Sequence, residues 1–420
     1  MSMKTSLSRA LLCFLTTLTP RVFAEQAGGV DAFVAEVLAQ NPTLRSRTLS
    51  RDAARRDASA AGIYSDPELA VMFDRFPQHS EESEPPMVRY QLSQMLHWPG
   101  KLGLMEAVAE RRTDVAQADA SSQALDLIRD AKRGYWMLLM NKSLQDVNAS
   151  GRGLLDTIAS AALARYGAGT GGHHEATRAQ VEQNANAVEA IDLEGEHTAT
   201  LAMLNALRNA PAQAELSEPR EPPQDRVRAL PPLASLERLA FSRRPELAGM
   251  RAMQREELAM ASMARRERYP DVMTSVWYNQ MLGMPDSYGV MLGARVPLFN
   301  IGRQNRRAEA SELRAGSAGS ELSAMQNMIR FEIADAARKF VTSERTLAFI
   351  SEVAAPRANQ SFASSLTGYA TGSVDIVGVL DGWRALQSIE RARVESVTSR
   401  LMAIADLERA IGGSLNGVSP

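Results

Sequence analysis

Three short motifs in this 420-residue chain have residue types and spacings that suit catalysis or cofactor binding. Residues 167–172 read Gly-Ala-Gly-Thr-Gly-Gly, but they follow a helical pattern, whereas the glycine loop of a dinucleotide site follows a strand. His174-Glu175 begins the zinc-protease pattern HExxH, and Arg178 stands where its second histidine should be. No GxSxG elbow is present. The motifs therefore predict no catalytic residue, no cofactor and no enzyme.

Two kinds of residue could still bind a metal cation. His173 and His174 flank Glu175, and imidazoles beside a carboxylate can hold a borderline cation transiently. A solvated polar turn accounts for the same residues, so both interpretations stay open. The chain also has 20 Met, and thioethers suit Cu(I), although flexible core packing explains most of them.

Composition excludes several classes of protein. The 47 Lys and Arg against 49 Asp and Glu leave no basic excess for nucleic-acid binding. A single Cys excludes a disulfide framework, a CxxC redox site and a thiolate zinc cluster. No run of 18 apolar residues follows the N-terminus, so no transmembrane helix is predicted.

The N-terminal residues 1–24 have the pattern of a secretory signal peptide. Lys4 and Arg9 precede an apolar run of about nine residues, and cleavage is expected after Ala24. An N-terminal anchor helix is the alternative, but a run of that length is too short to span a bilayer. Cys13 follows Leu12, where a lipoprotein signal needs a small residue, which argues against lipidation. We therefore expect an exported chain without cysteine.

Local signatures recur about 203 residues apart, which indicates an internal duplication. The matched segments at this offset are Asn41-Pro42-Thr43-Leu44 with Arg244-Pro245-Glu246-Leu247, Asp66-Pro67 with Tyr269-Pro270, Tyr166-Gly167 with Tyr369-Ala370, and Leu204 with Leu407. We expect a first repeat over 25–210, a Pro-rich linker over 211–232, a second repeat over 233–413 and a flexible tail over 414–420.

Each repeat is expected to contain a helix, a β-hairpin and a helical hairpin. Residues 101–165 lack proline and show helical spacing, which predicts one helix roughly 100 Å long. Its counterpart, from about Arg303 to Leu366, is expected to kink at Pro356. Shorter helices, about Val30 to Tyr64 and His173 to Asn209, would stack end to end beside the first long helix. The helical hairpins are placed at 100–209 and 302–412.

The β-hairpins, placed at 66–96 and 270–297, alternate with a period of two residues. Val88, Tyr90 and Leu92 alternate with polar residues, and the segments around Val276 and Val290 repeat the pattern. Such strands are long enough to cross an outer membrane with their apolar face towards lipid, although a soluble hairpin shows the same pattern. Since open strand edges cannot be satisfied in lipid, a membrane sheet of four strands requires strands from further chains.

This organisation resembles the TolC-type outer-membrane efflux factors over essentially the whole exported chain. The motifs that carry the resemblance are Asn41-Pro42, Trp98-Pro99-Gly100-Lys101, Val296-Pro297-Leu298-Phe299-Asn300-Ile301-Gly302-Arg303, Arg165-Tyr166-Gly167-Ala168-Gly169, Tyr369-Ala370-Thr371-Gly372 and Val379-Leu380-Asp381. Trp-Pro-Gly-Lys is similar to the heavy-metal branch, which includes CzcC and CusC.

The resemblance implies a mainly α fold with a small β part. It also implies a homotrimer in which four strands per chain form a 12-stranded β-barrel above a long periplasmic α-barrel. The expected location is the outer membrane of a Gram-negative bacterium. The expected partners are a periplasmic membrane-fusion adaptor, an inner-membrane pump of the RND type and outer-membrane lipid.

The resemblance also assigns roles to individual residues. Pro99, Gly100, Pro297 and Gly302 are expected to form the swivel from strand to helix, since glycine allows a sharp change of direction. A periplasmic gate is expected at the helical turns, and the residues assigned to it are Tyr369, Asp381, Asp375, Glu175 and Tyr166. Gly378 and Val374 occupy positions where the family often has an aspartate and an arginine, so a thinner gate network is expected.

The predicted function is therefore a passive exit duct of a tripartite efflux system, with heavy-metal cations as the expected cargo. A duct for drugs or for type I protein secretion is one alternative. A periplasmic coiled-coil scaffold with soluble hairpins is another. The duct sequence does not identify the cargo, the adaptor or the pump.

Overall fold

The computed structural model describes residues 29–74, 87–217, 230–281, 283–297 and 301–415. The expected signal peptide, the centre of the Pro-rich linker and the last five residues of the expected tail lie outside these ranges. So do Leu298, Phe299 and Asn300 of the motif after the second hairpin.

Helices make up most of the described chain, and the two repeats have the same order of elements. The first contains α1 (Val30–Gln40), α2 (Pro42–Ala61), β1 (Glu68–Asp74), β2 (Met87–Leu96), α3 (Lys101–Gly167) and α4 (His173–Leu207). The second contains α5 (Leu233–Arg243), α6 (Pro245–Arg266), β3 (Asp271–Met281), β4 (Ser287–Arg295), α7 (Ile301–Phe349), a π-helix (Ile350–Ala354), α8 (Ala355–Thr371) and α9 (Ile376–Ile411). The expected duplication and long helices are therefore present.

The expected single helix from Val30 to Tyr64 is wrong, because the chain breaks at Asn41. A residue before proline is restricted to extended conformations, and Asn41 has φ −66° and ψ 122°. Its side-chain oxygen accepts from the Thr43 and Leu44 amides at 2.9 and 3.1 Å, which caps α2. Its amide nitrogen donates to the Leu207 carbonyl at 2.8 Å and so joins α2 to the end of α4.

The long helix α3 packs against helices of both repeats. In its own repeat α3 packs along α2 and α4, and across the repeat boundary it packs along α6 and α9. On the other side, α7 packs against α6 and α9. The end of the molecule away from the strands is thus a layer of two helical hairpins. At the other end, α2, α3, α6 and α7 lead to the strands. Within the described ranges, no helix is both long and apolar enough to span a membrane.

The four strands form one antiparallel sheet in the order β1-β2-β3-β4. The central pair, β2 with β3, joins the two repeats, and its register places Tyr90 opposite Tyr278 and Leu92 opposite Val276. Because side chains alternate along a strand, the pairing of all four strands puts Val71, Tyr90, Val276 and Val290 on one face.

Candidate functional site

The apolar face of the sheet has no covering layer in the described chain. Leu69 on β1 is 71% exposed, and Tyr288 and Leu292 on β4 are 88% and 76% exposed. Val71, Tyr90, Val276 and Val290 lie between them on the same face and are also exposed. A contiguous apolar surface of this kind marks an interaction site with protein or membrane.

The opposite face is polar and has its own hydrogen bonds. The Arg89 guanidinium donates to the Asn279 side-chain oxygen at 2.9 Å, and Ser275 donates to Ser93 at 3.0 Å. Ser275 and Asn279 are buried although they lie at the sheet surface. Satisfied polar groups on one face and bare apolar groups on the other are the arrangement found in a membrane barrel.

Pro99 and Gly100, the residues expected to form the strand-to-helix swivel, lie between β2 and α3. Gly100 has φ +86°, the left-handed conformation that glycine adopts without strain, and α3 begins at the next residue. The Lys101 ammonium, which is buried, donates to Asp271 at 2.8 Å and to the Tyr269 carbonyl at 3.1 Å. Arg266 donates to the Pro99 carbonyl at 2.8 Å. These bonds fix the first swivel to the start of β3.

Gly302 departs from this expectation. It is the second residue of α7 and does not have a positive φ, so it cannot provide the counterpart of the Gly100 turn. Pro297 lies two residues beyond the end of β4 at Arg295, and α7 begins at Ile301. The offset of 202 aligned the two glycines in sequence, but their backbone conformations differ.

Tyr369 is the centre of the tip, where the two helical hairpins meet. Its side chain is 0% exposed, and its hydroxyl donates to the Glu175 carboxylate at 2.6 Å. Arg165 donates to the Tyr369 carbonyl, stacks over its ring at 4.7 Å and lies 3.9 Å from Glu175. The contact joins residues from α3, α4 and α8, so the structure brings together two of the expected gate residues.

The chemistry of this pair appears in both pKa values. Burial and the hydrogen bond to Glu175 raise the pKa of Tyr369 well above its usual value, so the hydroxyl stays protonated and remains a donor. The Tyr369 hydrogen bond is the main cause that lowers the pKa of Glu175, against a smaller opposing effect of burial. The Gly172 amide and Arg165 act in the same direction as Tyr369.

The other expected gate residues have separate contacts. Tyr166 is 50% exposed, and its ring meets His173 edge-on at 5.5 Å. Asp375 is the N-cap of α9 and accepts from the Gly378 amide at 2.9 Å. Asp381 pairs with Arg384 on the same helix at 2.9 Å.

The unusual Gly378 and Val374 fit each other. A Cβ atom at Gly378 would lie 2.8 Å from a methyl group of Val374, so the small residue makes room for the apolar one. Val374 packs against the buried tip cluster that includes Tyr369 and Ile376. Apolar packing therefore occupies the place where the resemblance implied polar contacts.

Sequence reasoning did not assign a role to Arg165, Arg384 or Glu182. Arg384 pairs with Glu182 of α4 as well as with Asp381. Arg165 was visible only as a neighbour of the Tyr166 turn motif, and its partner Tyr369 lies 204 residues away. The offset of 203 residues was the available signal, since it aligns the two turns that these contacts join.

The structure adds little support for a metal site at the turn. The His173 ring packs on Tyr166, with Nδ1 3.4 Å from the Thr177 hydroxyl. Across the residues that the structure describes, no group of three or more His, Cys, Asp or Glu side chains is placed to hold a metal ion.

Comparison with known proteins finds one family model that matches part of the chain. Residues 236–413 match the family model described as outer membrane efflux protein. This match covers most of the second repeat and less than half of the chain. No curated protein sequence matches the chain.

Three solved outer-membrane channels have the same fold over almost the whole chain. OprN aligns with a TM-score of 0.80 at 17% identity, covering 92% of this chain and 90% of its own. CusC aligns with a TM-score of 0.82 at 15% identity, covering 92% of each chain. The open state of MtrE from Neisseria gonorrhoeae aligns with a TM-score of 0.79 at 16% identity, covering 92% and 90%. The chain therefore has the fold of these channels.

Proposed function

We propose that this protein is the outer-membrane channel of a tripartite efflux system in a Gram-negative bacterium. The exposed apolar face of the four-stranded sheet carries the proposal, because no described element covers it and lipid would. The strands β2, β3 and β4 have 10, 11 and 9 residues, close to the length that a tilted membrane strand needs.

Closure of the sheet requires further copies of the chain. β1 and β4 are the edges of the sheet, and open edges in lipid leave backbone groups without partners. Three copies would give 12 strands, as the resemblance implies. The helices α4 and α7 also have exposed apolar side chains. They are Val181, Val188 and Ile191 on α4 and Leu313 and Phe331 on α7. Two different edges that meet head to tail produce a ring when the rotation between neighbouring copies closes.

The tip contacts support a gate at the end of the helices away from the sheet. Tyr369 and Glu175 join the two helical hairpins of one chain, so separating the hairpins requires this hydrogen bond to break. Asp381, Asp375 and Tyr166 line the same end. An adaptor and an RND-type pump would engage this region from the periplasm and from the inner membrane.

Heavy-metal cations are the proposed cargo, and the polar face of the sheet offers one supporting feature. The strand register places Met87 opposite Met281 and Met95 opposite Met273, all on the polar face. Thioethers are soft ligands that bind soft metal cations. Weak binding of a cation at several sites along a pore allows the cation to pass through it. Drugs and secreted proteins are the alternative cargoes.

Fractionation and planar-bilayer recording test the channel. We expect the protein in the outer membrane, as a trimer that forms cation-preferring pores. A monomer that stays in the periplasmic fraction and never inserts would refute the channel and support a scaffold.

The cargo has a separate test. We expect the double substitution Met95→Leu with Met273→Leu, which conserves side-chain volume, to reduce Ag(I) flux through the pore and leave K⁺ conductance unchanged. Equal loss of both ions, or of neither, would contradict a role for the methionine pairs.

A further inference from the structure

The second repeat passes from helix to strand through a basic segment. Residues 265–268 read Arg-Arg-Glu-Arg and connect the end of α6 to β3. At the offset of 203 residues, the first repeat has Gly-Ile-Tyr-Ser in the same place, followed by the acidic residues Asp66 and Glu68. Both repeats connect a helix to a strand here, so the connection itself does not require the basic charges.

Two of the three arginines in this segment have no anionic partner. Arg266 and Arg268 are exposed, and neither pairs with a carboxylate in the part of the chain that the structure describes. The third, Arg265, pairs with Glu312 of α7. Glu267, the one acid of the segment, pairs with another arginine of α7. The charges of Arg266 and Arg268 are therefore available to an anion from outside the chain.

The contacts of these two arginines leave most of their donors free. Arg266 donates to the Pro99 carbonyl at 2.8 Å, and a Cβ atom at Gly100 would lie 2.8 Å from the same guanidinium. The glycine thus makes room for Arg266. The Arg268 guanidinium lies over the ring of Tyr269, 5.6 Å from its centroid. A guanidinium has five N–H donors, so both side chains can bind a further acceptor.

An aromatic pair adjoins the two arginines. The rings of Trp98 and Tyr269 stack with their centroids 5.3 Å apart and their planes at 9°. The Tyr269 carbonyl accepts from the buried Lys101 ammonium at 3.1 Å, which fixes the backbone of this residue. Trp and Tyr are enriched at membrane surfaces, since their rings have an apolar body and a polar edge. We call Trp98, Arg266, Arg268 and Tyr269 the junction patch.

The junction patch lies at the helical end of the exposed apolar face. Leu92 and Leu96 of β2 are exposed, and alternation places them on the same face as Tyr90. Trp98 comes two residues after Leu96, where β2 ends. If this face spans the outer membrane, the patch lies where the helices leave it. The groups that meet it there are the headgroups of the periplasmic leaflet.

We infer that the junction patch binds the phosphate of an anionic phospholipid in the periplasmic leaflet of the outer membrane. The inference rests on the proposed channel and adds a lipid site to it. A guanidinium matches the geometry of phosphate oxygens, and basic residues beside a membrane attract anionic lipids. Asp66 and Glu68 give the corresponding place of the first repeat the opposite charge, so each chain has one such site.

Lipid binding to the detergent-solubilised protein tests the site. The protein is titrated with phosphatidylglycerol and, separately, with phosphatidylcholine in mixed micelles. Arg268→Gln is expected to weaken phosphatidylglycerol binding about fivefold, which corresponds to about 1 kcal/mol for one basic residue beside an anionic surface. Phosphatidylcholine binding should not change. Arg255→Gln is the matched control, because Arg255 is exposed on α6 without a described carboxylate partner, 11 residues or about 16 Å before the helix end.

Two further measurements identify what the site recognises. Arg268→Lys keeps the charge and is expected to lose less affinity for phosphatidylglycerol than Arg268→Gln. Equal loss in both variants would overturn a site that binds through charge. The soluble headgroup analogue glycerol 3-phosphate has no acyl chains and is expected not to displace the lipid at equal concentration. Displacement at equal concentration would show a site for free phosphate and overturn the lipid assignment.

The outcomes separate the lipid site from the channel. Equal affinity for the two lipids, or equal loss in Arg255→Gln and Arg268→Gln, would overturn the site even if the protein forms pores. A periplasmic monomer that prefers phosphatidylglycerol, and loses this preference in Arg268→Gln, would keep the site and refute the proposed channel.

Discussion

Replacement of Tyr369 by phenylalanine isolates the central contact of the tip. The ring keeps its fully buried packing, and only the hydroxyl that donates to Glu175 at 2.6 Å is lost. A hydrogen bond to a charged group contributes about 1.5–3 kcal/mol. Glu175 retains the Gly172 amide at 3.5 Å and Arg165 at 3.9 Å, so we expect the lower end of this range.

About 1.4 kcal/mol corresponds to a tenfold change in an equilibrium, so Tyr369→Phe should raise the ratio of open to closed time about tenfold. Single-channel recording in planar bilayers measures this ratio. Tyr166→Phe is the matched control, because Tyr166 is half exposed and its hydroxyl makes no hydrogen bond within the described ranges. Adding Asp381→Ala should lengthen openings further, since Arg384 loses one of its two carboxylates. Equal open times in the Tyr369 and Tyr166 variants would refute the gate assignment.

Three further predictions concern the swivel and the tip. Gly100→Ala should destabilise the protein by about 1–2 kcal/mol in urea unfolding, because φ is +86°, whereas Gly302→Ala, inside α7, should be neutral or stabilising. Asp271→Asn should cost about 1.5–3 kcal/mol in the same assay, since the buried Lys101 ammonium loses its anion. The hydrogen bond from Tyr369 depresses the pKa of Glu175, so the tip contact should keep its full strength at any pH above the usual glutamate pKa of about 4.3. The contact should weaken as the pH falls below that value, and single-channel open time measured as a function of pH would show this.

Periodicity in the sequence was sufficient to predict the elements. The absence of proline over 101–165 predicted α3, and alternation around Tyr90 and Val276 predicted strands whose apolar face the structure leaves bare. The break at Asn41 was not predicted, because the helical pattern continues through it and only the following proline marks it. Helical spacing by itself does not show where a helix is interrupted.

The duplication predicted which positions correspond but not how each copy uses them. Tyr166 and Tyr369 are equivalent at an offset of 203, yet the first is half exposed and the second is fully buried on Glu175. The burial of each tyrosine depends on how the two hairpins pack against each other. A sequence repeat does not specify that packing. Partners such as Arg391 and Glu189, about 200 residues apart, become visible only when the hairpins are placed side by side.

The same divergence sets where the second hairpin is held firmly and where it is held weakly. At the helix break of the first repeat, the neutral Asn41 side chain donates to one carbonyl at the end of α4. Its counterpart Arg244 is almost fully buried, donates to the Arg409 and Ala410 carbonyls at the end of α9, and pairs with Glu246 and Glu332.

Arg409 in turn pairs with Asp126 of α3, so charged contacts connect the end of α9 to both repeats. Removing one partner from a buried ion pair costs several kcal/mol, whereas an exposed pair contributes at most about 1 kcal/mol. The end of α9 near Arg244 is therefore held more strongly than the end that carries Arg384 and Arg391.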